Sequence, residues 1–170
     1  MDVRELMTEA YGRITQIVRR AVDDLDAERL AFRPEPDANS IAWLVWHLTR
    51  IQDHHVSEIA GREQAWTTTG WADRLDMAAD PDDTGYGHTP AQVAAVRPAG
   101  PGELIGYHEA VAARTAEYIA TLDADELDRI VDRSYDPPVS VGVRLVSVLS
   151  DNLQHAGQAG YLRGLVERMA

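Results

Sequence analysis

Apolar residues recur at intervals of three and four positions in four long stretches of this sequence, and no stretch of comparable length alternates with a period of two. Each stretch would bury one face as a helix, so the spacing predicts an all-α fold of helices packed against one another. The first covers residues 3 to 24, with Leu6, Ala10, Ile14, Ile17, Val18, Ala21 and Val22 on one side. The second follows the proline-containing loop "FRPEPDANS", is capped at Asn39 or Ser40, and runs to about Ala60, where Gly61 is a natural stop. Its apolar stripe is Ile41, Leu44, Val45, Leu48 and Ile51. The third runs from Pro101 to about Thr121 through Leu104, Tyr107, His108, Val111, Ala112, Thr115 and Ile119. The last starts at a Ser140 cap and continues to the C-terminus; "RSYDPPVSVG" before it reads as a loop, since consecutive prolines cannot lie inside a helix.

Residues 62 to 102 are irregular, with glycine, proline and hydroxyl residues concentrated in "TTTGW", "DPDDTGYGHTP" and "RPAGPG". A short helix is expected there at Thr89-Pro90, and "LDADELDRIVD" reads as an extra turn. The expected architecture is one domain, residues 1–170, folded as an antiparallel four-helix bundle with a long connection between helices 2 and 3. A connection of that length in a small domain is usually functional.

Sixteen Lys and Arg against 28 Asp and Glu give a net charge of −12, a field that repels phosphate backbones and anionic lipid surfaces. Nucleic acid and membrane are therefore not expected partners. There is no cysteine, which excludes disulfides, thiolate ligands and a cysteine nucleophile. The N-terminal segment has no signal-peptide pattern and no apolar run reaches the ~18 residues of a membrane span, so the expected location is the cytoplasm.

Polar groups interrupt the apolar faces of two helices. In "SVLSDNLQHAGQAGYLRG", Val148, Asp151, His155, Ala159 and Leu162 follow 3-4-4-3 spacing, and on the second helix His47 stands between Leu44 and Ile51. Side chains four apart on a helix can reach a common point. Two imidazoles and a carboxylate brought together in a bundle suit zinc or another divalent transition metal, with at least one coordination position left open. The competing reading is a core histidine bonded to a carbonyl and an ordinary Asp-His helical pair.

Asp53 and His54 follow about two turns after His47; they either end the helix as a polar surface or line the mouth of a metal cavity. Gln158 can hydrogen-bond a substrate or orient a neighbouring side chain. Tyr86 and His88 in "GYGHT" are candidates for a lid, His108 reads as structural, and Trp43, Trp46, Trp66 and Trp71 supply aromatic surface for a cavity wall or a homodimer interface. "GYGHTPAQ" is no phosphate loop, since it lacks the Gly-Lys-Ser/Thr end.

"SIAWLVWHLTRIQDHH", "GYGHT", "GYHEAV" and "VRLVSVLSDNLQHAGQAGYLRG" together resemble the DinB-like superfamily of metal-binding four-helix bundles, in particular its actinobacterial mycothiol-dependent branch of S-transferases and maleylpyruvate isomerase-like proteins. The resemblance spans nearly the whole chain. It implies a metal held by His47, Asp151 and His155; Asp151 stands where many relatives carry His or Glu. It also implies zinc, or nickel or another transition metal, with mycothiol as co-substrate and an electrophilic small molecule as its partner, in a detoxifying transfer. Metal binding makes a thiol into a thiolate nucleophile, so no protein cysteine is needed. Two other readings stay open: a metal-dependent hydrolase using bound water, and a non-enzymatic metal- or ligand-binding stress protein.

Overall fold

Hydroxyl and carboxylate caps fix where most of the helices begin. In the computed structural model, which describes residues 1–169, Asp2 caps helix α1 (Val3–Val22) through the Arg4 and Glu5 amides while Glu5 returns to the Asp2 amide. A short α2 (Ala27–Leu30) follows, and Ser40 then starts α3 (Ile41–Ile59) by accepting from the Trp43 amide. Each such cap contributes about 1 kcal/mol. The long connection carries three short helices, α4 (Ala65–Thr68), α5 (Trp71–Arg74) and α6 (Pro90–Ala95), the last closed by a Thr89–Gln92 capping box. Next come α7 (Pro101–Ile119) and α8 (Ala124–Asp128). Two small strands, β1 (Ile130–Asp132) and β2 (Val139–Ser140), pair antiparallel across the stretch expected to be a plain loop, with a register irregularity between Ile130 and Asp132. The last helix, α9 (Val141–Glu167), is capped by Ser140. Among the described residues no helix is long and apolar enough to cross a membrane.

The four long helices form a bundle in which α7 and α9 each pack against both α1 and α3, leaving α1 and α3 across a diagonal. Their directions follow from cross-helix bonds. Thr49 meets His108 and Gln52 meets Thr115, so α3 and α7 run parallel. Tyr11 donates to the Leu145 carbonyl and Arg163 to that of Asp23, so α1 and α9 are parallel too. His47 lies beside His155 and Gln52 beside Asn152, which makes α3 and α9 antiparallel. The order is therefore up, down, down, up. The bundle is antiparallel across two of its four edges, and the connection is long because it must return the chain to the end at which α3 began.

Helix α3 is the centre of the molecule. From Ile41 to Arg50 every residue is buried, including Thr49 and Arg50, so the helix has no solvent-facing side there. Buried polar groups of this kind need partners. Gln52 bridges Asn152 of α9 to Thr115 of α7, which sets the helices' relative height. Arg50 donates to the Asp83, Pro81 and Asp80 carbonyls, and so ties the long connection to the core. On α1 the buried face is Met7, Tyr11, Ile14, Val18 and Ala21, one position along from the expected stripe at its start. Leu6 is 54% exposed, because Tyr11 turns inward to reach the Leu145 carbonyl.

Candidate metal centre

His47 from the middle of α3 and Asp151 and His155 from α9 meet at the antiparallel α3–α9 edge. A donor atom from each lies within 4.8 Å of the other two. The two imidazole rings are 4.7 Å apart at 77°, and His155 Nε2 is 3.5 Å from Asp151 Oδ1. Which ring nitrogen faces the centre follows from its neighbours. His47 Nδ1 contacts the Thr84 carbonyl, which can only accept, so Nδ1 carries the proton and Nε2 keeps its lone pair. His155 Nδ1 likewise donates to Gln158 Oε1 at 3.0 Å, leaving its Nε2 as a base. Outer partners that fix imidazole tautomers in this way accompany metal-ligating histidines.

The second carboxylate oxygen of Asp151, Oδ2, is buried and has no hydrogen-bond partner among the described residues. Two imidazoles whose Nε2 atoms are left free to coordinate and an unsatisfied buried carboxylate oxygen fit a divalent cation of the zinc type. Burial holds the His47 pKa below the ordinary imidazole value, while the bond to Asp151 holds that of His155 above it.

The surroundings keep this geometry rigid. Trp43 stacks on the His47 ring at 4.5 Å and 10°, and meets His155 edge-on. Trp43 Nε1 donates to His88 Nδ1, whose other nitrogen donates to Asp83, so the connection is latched over the α3 side of the site. Gly85, at φ +87°, passes so close that a Cβ there would lie 2.7 Å from Trp46 and 3.0 Å from His47 Nδ1. Along the α3–α9 groove a cavity opens on either side of the triad. One, about 490 Å³, is lined by Leu44, Tyr161, Leu162 and Gln158. The other, about 170 Å³, lies between Ile51 and His55 of α3 and Arg144, Val148 and Asp151 of α9.

A family described as mycothiol S-transferase matches residues 10–168. This chain belongs to the mycothiol S-transferase family. A conserved protein from Enterococcus faecalis, known from its crystal structure, is similar over 98% of this chain and 98% of its own, at 30% sequence identity and a TM-score of 0.89. No curated protein matches the chain.

In this member of the mycothiol S-transferase family, the sequence-predicted residues separate into two groups. His47, Asp151 and His155 are brought together. Gln158 orients His155 and also lines the larger cavity. Asp53 and His54, expected at the mouth of the metal cavity, are not gathered to it. Asp53 is buried, accepts from the Ala65 and Trp66 amides and the Tyr107 hydroxyl, and faces Arg50 at 3.7 Å. Its charge is used to hold α4 and α7 against α3. His54 faces the Pro81 carbonyl and Gln64 in a separate surface depression. Seven positions after His47 return to the same azimuth but lie ~10 Å further along the axis, so a shared face is not a shared site.

His54 and His55 do form a second donor group with Glu58, but that carboxylate is exposed. Three tryptophans are buried and one is half-buried: Trp43 walls the candidate metal centre, Trp46 and Trp66 are buried against each other, and the half-buried Trp71 packs on Tyr107. Tyr86 is almost fully exposed, whereas His88 is stacked on Trp46. Sequence reading passed over Arg144, although Arg144, Val148, Asp151 and His155 continue one 4-3-4 stripe.

Proposed function

We propose that the protein is a divalent-metal-dependent mycothiol S-transferase, with zinc as the metal and an electrophilic small molecule as the acceptor of sulfur. The observation that carries this reading is the gathering of His47, Asp151 and His155 with donor atoms within 4.8 Å of one another, each histidine having its Nδ1 proton held by an oxygen and its Nε2 left free. His47, Asp151 and His155 would hold the ion. When bound, such an ion stabilises the thiolate form of a thiol placed in its open position and so supplies the nucleophile. The chain has no cysteine, which fits a sulfur brought in by a co-substrate.

The protein's own residues prepare the site around that sulfur. Thr84 and Gln158 fix the tautomers of both imidazoles and hold the rings in place, and Trp43 shields one flank from water. The apolar cavity formed by Leu44, Tyr161 and Leu162 supports binding of an uncharged part of the acceptor. A hydrolase would need a base to activate water, and Asp53 and His54 are engaged elsewhere. Titration of the cobalt-substituted protein with mycothiol tests the proposal: a sulfur-to-metal charge-transfer band is expected, followed by metal-dependent thioether formation with a haloalkyl or haloaryl compound. Thiol-independent ester or amide hydrolysis, lost in His47→Ala and with no sulfur band at saturating mycothiol, would overturn it.

A further inference from the structure

The smaller cavity beside the triad has an unusual lining. Three of its side chains carry a buried polar atom without a hydrogen-bond partner among the described residues: His55 Nδ1, Arg144 Nε and Asp151 Oδ2. Buried polar atoms are nearly always satisfied, so their convergence at one cavity says something about its occupant. The metal ion accounts for Asp151. What remains is a guanidinium N–H, which can only donate, and an imidazole, which burial and the Arg144 charge hold neutral by pressing its pKa down to about 4. A neutral imidazole can present one N–H as donor. Arg144 is held in place by Asp132, 3.3 Å from its Nη2, and the half-exposed Glu58 stands 3.6 Å from His55 Nδ1, beyond hydrogen-bonding distance. The cavity's volume of about 170 Å³ admits an acid group on a short carbon chain.

We propose that Arg144 and His55 form a carboxylate subsite next to the metal centre, so that one of the two reactants is a small carboxylic acid. This rests on the metal-dependent transferase reading. It assigns different tasks to the two cavities: the larger takes apolar bulk, and the smaller fixes one end of the acid through paired donors. Arg144 and His55 are specificity-determining residues.

The cobalt-substituted protein provides the test, with 3-mercaptopropionate compared against its neutral amide, 3-mercaptopropionamide, and affinity read from the charge-transfer band. The acid is expected to bind at least tenfold more tightly than the amide. Arg144→Gln should abolish that preference while leaving the amide's affinity within about twofold, Arg144→Lys should retain part of it, and His55→Gln should reduce it with α-helical circular dichroism unchanged. Equal affinities in the unmodified protein, or a preference that survives Arg144→Gln, would overturn the subsite while leaving the metal reading standing. If cobalt binds and neither thiol gives a band, thiol ligation fails and the inference fails with it. A sulfur-free acid, 3-chloropropionate, tests which reactant carries the carboxylate: binding alongside the neutral thiol is expected if it belongs to the electrophile, and competition with that thiol would overturn this assignment.

Discussion

Replacing Gly85 by alanine should damage the metal centre from a residue that is not a ligand. Gly85 has φ +87°, where an L-residue costs about 1–2 kcal/mol. The added Cβ would stand 2.7 Å from Trp46 Cζ3 and 3.0 Å from His47 Nδ1. Carbon atoms pack best at ~3.5–4.0 Å, so something must move. Trp46 cannot: it is fully buried, stacked on His88 and set against Trp66. The loop must retreat instead, and with it the Thr84 carbonyl that orients His47. Overpacking of this kind costs roughly 1–3 kcal/mol. The total of about 2–5 kcal/mol corresponds to a fall in Tm of roughly 5–20 °C for a chain of this length. Loss of the outer partner should weaken metal binding by about 10–100-fold. Gly87→Ala is the control, since Gly87 has φ +75° but nothing within 4 Å of where the new methyl group would stand. It should carry the backbone cost alone and keep its metal affinity. Competition with a chromophoric chelator measures both affinities, and thermal melts measure both stabilities. Equal metal affinity in the two variants would refute the role given to the Thr84–His47 contact.

His47→Ala and His155→Ala should each lose stoichiometric metal, and Asp151→Asn should bind it more weakly; metal content after gel filtration decides, and full retention in both histidine variants would reject the ligand set. Asp53→Ala should destabilise the fold by about 3–5 kcal/mol in urea unfolding, because Arg50 would lose its buried counter-charge, while folded protein keeps its metal. Intact stability with metal lost would instead place Asp53 at the centre. Buried His108 has its pKa pressed from 6.5 to about 4, so the folded state binds fewer protons than the unfolded state between those values. Stability should fall as pH drops from 6.5 toward 4, by up to about 3 kcal/mol, and this contribution should level off below 4. Urea unfolding of the metal-free protein against His108→Gln isolates it, and parallel pH profiles would contradict it.

The three residues that the fold brings together were legible as candidates because each breaks a helical pattern that the sequence otherwise keeps: His47 between Leu44 and Ile51, and Asp151 and His155 in line with Val148 and Ala159. What lay hidden depends on contacts between distant segments, which leave no periodic trace. The carbonyl of Thr84 looks like any other loop residue, yet it sets the tautomer of His47. Arg50 and Asp53 are charged residues of a type that usually faces solvent on a helix, and are buried here because the connection and α7 cover that side. Helix directions were equally invisible: spacing within α3 and α7 reports which face is buried, and says nothing of whether neighbours run the same way. His108 could be read as structural from its place among apolar residues, but its proton arrangement needs the tertiary fold. Thr49 donates to the Val45 carbonyl, so it must accept from His108 Nδ1, which leaves Nε2 to accept from Thr15.

The parallel pairing of the first and last long helices has a consequence for how the chain is made. Tyr11 and Leu145, joined by one hydrogen bond, are 134 residues apart, and Asp151 and His155 lie later still. During synthesis the inner faces of α1 and α3 therefore emerge long before α9, the helix that packs against both. Until it docks, an apolar trough is open to water and to other nascent chains. On the proposed function, metal capture would be bound to the same event, since His47 alone is a poor site and its two companions arrive with the closing segment. A ribosome-stalled chain ending before Ser140 should accordingly retain no metal and should associate with chaperones, and release of the full chain should end both conditions together.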